Sequence, residues 1–141
     1  MRKPSIIHIA VVFSLSFGVV AQERMPSHVY DTYMADKKRI EREYKVDKER
    51  CDSFDDNAED ICLAEAKGKE EVAKAELEAR YKPSRQTEYD VRVARAKADY
   101  RVAKERCDDK SGNAKDVCLE EAKAAEAAAI ADAKRENSEN P

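Results

Sequence analysis

One stretch of this chain occurs twice, and the two copies hold all four cysteines. The first copy runs Lys48-Glu49-Arg50-Cys51-Asp52, a polar loop, then Asn57-Ala58-Glu59-Asp60-Ile61-Cys62-Leu63. The second runs Lys104-Glu105-Arg106-Cys107-Asp108, a loop, then Asn113-Ala114-Lys115-Asp116-Val117-Cys118-Leu119. The offset is 56 residues throughout, and 15 of the 24 positions from Tyr44 to Lys67 are identical at that offset. Any fold for this chain must therefore use one cysteine-bearing unit twice.

The N-terminus sets the meaning of those cysteines. Arg2 and Lys3 precede an apolar run from Ile6 to Val20, broken by His8, Ser14, Ser16 and Gly18. Val19-Val20-Ala21 then places small or modest side chains before Gln22. This is the layout of a secretory signal peptide, with cleavage expected after Ala21. The run of 15 residues is short for a spanning helix, which needs about 20. A retained membrane anchor is the competing reading. In an exported small protein, an even number of cysteines reads as a disulfide framework.

Charge narrows the partners. The first 21 residues hold two basic and no acidic side chains, so the remaining 120 carry 25 Lys+Arg against 30 Asp+Glu, a formal charge of −5. Nucleic acid and anionic membrane surfaces both call for a positive excess, so neither is expected as the main partner. Beyond residue 21 there are three Leu, three Ile, one Phe and no Trp. Alanine, glutamate and lysine dominate, and all three favour helix. The expected fold is all-α with a thin core, which gives covalent staples unusual weight.

Four helices are readable. The first begins near Ser27 or Val29 and ends about Cys51. Tyr33, Ile40, Tyr44 and Cys51 share one face, interrupted by Lys37 and Asp47. The third, about Thr87 to Cys107, carries the face more cleanly: Tyr89, Val93, Ala96, Tyr100, Ala103, Cys107. Its steps alternate four and three, the period of a packed helix pair. The second helix is expected after Asn57, with Asn57 as its cap and Asp60 suiting the helix dipole. Asn113 and Asp116 repeat the device. Glu41–Lys45, Glu65–Lys69 and Glu70–Lys74 are favourable i,i+4 pairs, each worth roughly a few tenths of a kcal/mol. Gly68 reads as a mild weak point. Lys82-Pro83-Ser84 separates the repeats, because proline disfavours helix at the residue before it. Ser84 is placed to cap the third helix. The fourth runs from Ala114 to about Arg135, and Glu136 to Pro141 is expected to fray.

Three readings of the cysteines follow. In the first, each pair staples a helical hairpin locally, Cys51 to Cys62 and Cys107 to Cys118. Each bond then closes a loop worth on the order of 3 kcal/mol. In the second, residues eleven apart share a face of one continuous helix, and two such helices pair as Cys51–Cys118 and Cys62–Cys107. The loops Ser53-Phe54-Asp55-Asp56-Asn57 and Asp109-Lys110-Ser111-Gly112-Asn113 oppose this, being rich in turn and cap residues. The third reading is redox or metal chemistry. Cys-x-x-Cys spacing is absent, and His28 is the one histidine beyond residue 21, too few converging ligands for zinc.

Other motifs are bland. An EF-hand counted from Asp52 has Phe54 at position three and Leu63 at position twelve, and one counted from Asp108 has Lys110 at position three. Neither register binds calcium. Tyr44 and Tyr100 occupy equivalent positions on apolar faces, which fits packing at a helix seam better than ligand stacking. No Gly-rich phosphate loop and no Ser–His–Asp set can be assembled. Paired catalytic carboxylates would need a pocket that this composition does little to build.

The paired pattern, with Glu65-Ala66-Lys67-Gly68-Lys69 and the stretch Ala75-Glu76-Leu77-Glu78-Ala79-Arg80-Tyr81-Lys82-Pro83-Ser84, resembles a group of small Gram-negative exported proteins. These are often labelled hypothetical or TolA-like cell-envelope proteins. The resemblance spans roughly residues 34–134 and implies a periplasmic location, with no cofactor and no Tol–Pal activity carried over.

The expected organisation is a signal peptide over residues 1–21, a helical hairpin over 22–82, and a second hairpin with a frayed tail over 83–141. The expected function is a non-enzymatic structural or protein-interaction module of the cell envelope, with self-association possible. The alternative is a small binding or chaperone-like protein that uses apolar helix seams. The cleaner second seam predicts that losing the Cys51 bond costs more stability than losing the Cys107 bond.

Overall fold

The computed structural model describes residues 25–139. The expected signal peptide and its cleavage site lie outside the described residues. Within them the chain forms four helices and no strand: α1 (Ser27–Cys51), α2 (Asp56–Tyr81), α3 (Arg85–Cys107) and α4 (Gly112–Glu139). Disulfides join Cys51 to Cys62 and Cys107 to Cys118, with Cα–Cα distances of 5.5 and 5.7 Å. The local-staple reading holds, and the continuous-helix reading does not.

Each helix packs on its chain neighbour: α1 on α2, α2 on α3, α3 on α4. No direct packing joins α1 to α3 or α4, or α2 to α4. The hairpins therefore form an open row of antiparallel helices rather than a closed bundle. In such a row the inner pair, α2 and α3, is covered on two sides. The outer pair, α1 and α4, is covered on one.

The two hairpin seams are built from equivalent positions. Ile40 and Ala66 are buried between α1 and α2, with Leu77 further along α2. Their counterparts 56 residues on are Ala96, Ala122 and Ala133, and all three are buried. Cys51 and Cys107 are fully buried. The period is thus the same in both seams, but the first holds the larger side chains. Tyr33 and Tyr81 add an edge-to-face contact at its far end, with ring centroids 5.4 Å apart, a geometry that aromatic pairs favour.

The α2–α3 junction is closer. A Cβ built on Gly68 would lie 2.8 Å from Ala98 Cβ and 3.3 Å from Ala98 Cα. Gly68 is therefore a contact residue. It lets α3 approach where any side chain would push it away, at a helix-propensity cost of about 1 kcal/mol. Arg95–Glu76, Arg101–Glu71 and Arg106–Glu65 bridge the same junction at 2.7, 2.9 and 3.0 Å.

The helix ends differ in detail from the sequence expectation. Ser84 caps α3 in a reciprocal box: its Oγ accepts from Thr87 N at 3.1 Å, and Ser84 N donates to Thr87 Oγ1 at 2.9 Å. Asn57 is not the cap of α2. The helix begins at Asp56, after Asp55, and the Asn57 amide is turned outward to the other repeat. Asp56 has φ +50° and its counterpart Gly112 has φ +55°, so both turns enter the next helix through the left-handed region. Of the tail expected to fray, the part from Glu136 to Glu139 stays helical in α4, and residues 140–141 lie outside the described residues. Glu136 pairs with Arg92 at 2.8 Å, and Arg85 Nη1 donates to Asn137 O at 3.3 Å, which ties the last turn to the start of α3.

Candidate functional site

The residues most open to chemistry in the sequence were the four cysteines. All four are consumed in disulfides, and none is a free thiol. Each bond sits where a helix ends and the next begins, so antiparallel order puts both stapled turns at one end of the row. A direct contact fixes them side by side: Asn57 Nδ2 donates to Asp109 Oδ1 at 2.7 Å. Lys115 Nζ meets Asp108 at 2.9 Å in the second turn. Phe54 stands about half exposed in the first. Among the described residues, no three His, Cys, Asp or Glu side chains converge on a point where a metal ion could be held.

A second charged cluster lies inside the first hairpin. Glu70 is 6 % exposed, the one buried charged residue in the described core. Lys67 reaches it at 2.8 Å and Lys74 at 2.6 Å, one turn to either side along α2. Burial alone would raise its pKa, but the hydrogen bonds from Lys67 and Lys74 outweigh that and hold it below the usual carboxylate range. Lys67 also places its ammonium 5.2 Å from the Tyr44 ring centroid, within cation–π range. Tyr44 therefore serves the seam. The sequence marks Glu70–Lys74 as a pair but gives no sign of the burial or of Lys67.

One interruption of the α1 face, Asp47, turns out to be a bridge. Asp47 accepts from Lys69 at 2.7 Å across the seam, and that hydrogen bond lowers its pKa. Lys69 is thus taken from its expected partner Glu65, which instead faces Arg106. Lys45 lies 3.9 Å from Glu49 rather than beside Glu41. At the opposite end of α1, the Tyr33 hydroxyl donates to Glu78 and the Tyr81 hydroxyl to Asp36 at 3.0 Å. The bond to Glu78 is the main reason that Tyr33 titrates above an ordinary tyrosine.

Two clefts among the described residues are small. A cleft beside the Cys51–Cys62 bond, walled by Asp47, Arg50, Glu65 and Lys69, holds about 170 Å³. Another between Arg39, Ile40, Glu76, Leu77 and Arg80 holds about 180 Å³. Small-molecule sites run to about 300–1,000 Å³ and are mostly apolar. These clefts are smaller and are walled largely by charged side chains that already hold ion-pair partners, most of them outside the cleft. Nothing in either arrangement sets a nucleophile beside a base. Compared with known protein families, with curated proteins and with solved structures, the chain matches none.

Proposed function

We propose that this protein is a non-enzymatic, exported module of the bacterial cell envelope that works through protein–protein contact. The observation that carries the reading is the open row of helices closed by two disulfides. Disulfides of this kind persist in oxidising compartments and are rare in a reducing cytosol. Small exported domains with thin cores depend on them. The layout of residues 1–21 agrees, and so does the resemblance to small periplasmic proteins of TolA-like type. No described helix is long and apolar enough to cross a membrane.

A helix row offers surface rather than volume. Its exposed surface carries charged side chains of both signs, suited to contact with another protein. The rival reading, a chaperone-like binder, needs its apolar seams available to clients. Ile40, Leu77, Ala96 and Ala133 are buried in the row. The exposed large apolar side chains, Tyr30, Val46, Phe54 and Val117, are spread over α1, a turn and α4. That dispersal is less suited to holding a client than a contiguous patch would be.

The test is fractionation followed by intact-mass measurement and affinity capture with the oxidised protein. Periplasmic recovery of a chain beginning at Gln22, with one or a few envelope proteins captured, is expected. A full-length chain in the membrane fraction would favour the anchor. Capture of many unrelated unfolded clients would favour the chaperone-like reading.

A further inference from the structure

The two ends of the row carry the two halves of the junction that holds its middle together. In the repeat, α4 is the counterpart of α2, and α1 is the counterpart of α3. The face of α2 that receives α3 therefore recurs on α4, where no other described helix covers it. The face of α3 that receives α2 recurs on α1, which no other described helix covers either.

The polar chemistry of that junction recurs with it. Inside the chain, Arg95 meets Glu76 and Arg106 meets Glu65. Fifty-six residues away the same positions are Arg39 and Asp132, and Arg50 and Glu121. Opposite charges are kept in both pairs, although the members now sit on opposite ends of the molecule. The link between stapled turns, Asn57 to Asp109, recurs as Asn113 and Ser53, which can also hydrogen-bond. One pair is lost: Arg101–Glu71 becomes Lys45 and Ala127.

Apolar exposure points the same way. Val46 on α1 is 55 % exposed and Val117 on α4 is 48 % exposed. Their counterparts, Val102 and Ile61, are half-buried. Both valines thus lie at positions that the chain partly covers wherever its own repeat supplies a neighbour. Between them α4 offers Ala124, Ala128 and Ala131, all exposed.

We propose that a second copy of this chain docks its α1 face on the α4 face of the first, in the antiparallel register by which α3 lies on α2. This deepens the reading of the protein as a contact module by naming a partner. The contact is heterologous, so it leaves a free α4 face on the incoming copy. Such contacts grow into filaments or close into rings.

The contact is weaker than its template. Ala124 and Arg42 stand where Gly68 and Ala98 allow close approach, so the helices of two copies sit further apart. Arg39, Arg50 and Asp132 also have partners within their own helices, Glu43, Asp47 and Arg135, that must be exchanged. Exposed ion pairs add little each and are screened by salt. Association is therefore expected at high protein concentration and low salt.

Sedimentation velocity tests this on protein expressed from its full sequence and purified with both disulfides formed. Two charge-reversed variants are used: Arg39→Glu/Arg50→Glu on α1, and Glu121→Lys/Asp132→Lys on α4. The unaltered protein is expected to grow past a dimer as concentration rises, and each variant alone to stay monomeric. An equal mixture should regain assembly, because every junction in it can again pair opposite charges. All four positions are exposed, and circular dichroism checks that the helices are retained. Unaltered protein that stays monomeric at its highest soluble concentration would overturn the proposal while leaving the envelope-module reading to the capture experiment. A dimer that does not grow, or variants that fail to recover on mixing, would overturn it too.

Discussion

At the scale of the residue, two glycines carry different physical burdens. Gly112 has φ +55°, with open space where a Cβ would go. Its substitution meets no clash but must hold a left-handed backbone, which costs roughly 1–2 kcal/mol for most side chains. Gly112→Ala should therefore lower stability by about that much, and Gly112→Asn by less, because asparagine tolerates this region. Asp56 shows the same tolerance at the equivalent turn. Gly68→Ala should destabilise for another reason, the 2.8 Å approach to Ala98 Cβ. Overpacking of this kind costs about 1–3 kcal/mol, against which the better helix propensity of alanine returns about 1. Chemical denaturation of Gly68→Ala, Ala98→Gly and the double variant checks this. The double variant should recover part of the loss, and strict additivity would contradict the contact.

Two carboxylates give the molecule an acid limit. The bond from Lys69 depresses the pKa of Asp47, and at Glu70 the two lysines outweigh burial to give a depressed value as well. A depressed folded value means that ionisation favours the folded state. The contribution is full above the unfolded values near about 4 and is lost as pH falls through the folded ones. Glu70→Gln should flatten the loss of stability below about pH 4, as read from melts across a pH series. An unchanged acid profile would show that the lysine clamp does not couple to folding. Of these contacts only the Glu70–Lys74 pair was legible in the sequence. Asp47 breaks an apolar pattern and Glu70 sits in a charge-rich run, and no local rule says which charge a neighbouring helix will cover.

At the scale of the element, helix order, length and hairpin pairing were legible because each rests on local signals. Pro83 stops α2, Ser84 starts α3, and the cysteines mark the two stapled turns. The lateral order of the helices was not legible, since alanine-rich faces satisfy a closed bundle and an open row alike. The expected ranking of the two bonds also changes once burial is known. The first seam buries Ile40 and Leu77 and adds the Tyr33–Tyr81 contact. The second buries Ala96, Ala122 and Ala133, which remove less apolar surface from water. Helix α4 thus has less than α1 to hold it once its staple is cut. Cys107→Ser/Cys118→Ser should lower the melting midpoint more than Cys51→Ser/Cys62→Ser, the reverse of what period alone suggests. Hydrogen exchange on the two variants should show α4 opening in one and α1 in the other, with α2 and α3 protected longest. Loss of protection across all four helices at once would contradict that order.

At the scale of the whole molecule, the row has no single core to gather its parts. Among the described residues, stability is spread along three seams, and each outer helix packs on one neighbouring helix. In such a design each bond, by closing a short loop, contributes on the order of 3 kcal/mol, a large share of what a small domain has. Helix propensity survives reduction, because Ala, Glu and Lys need no partner to favour it, but most helical stability in a folded protein comes from tertiary packing. Thermal melting followed by circular dichroism, with and without a disulfide reductant, bears on this directly. Reduction is expected to lower the midpoint by more than about 10 °C and to broaden the transition, while some helical signal remains at low temperature. Equal midpoints for the oxidised and reduced protein would contradict the account, for they would show that the two disulfides are not what holds the outer helices to the row.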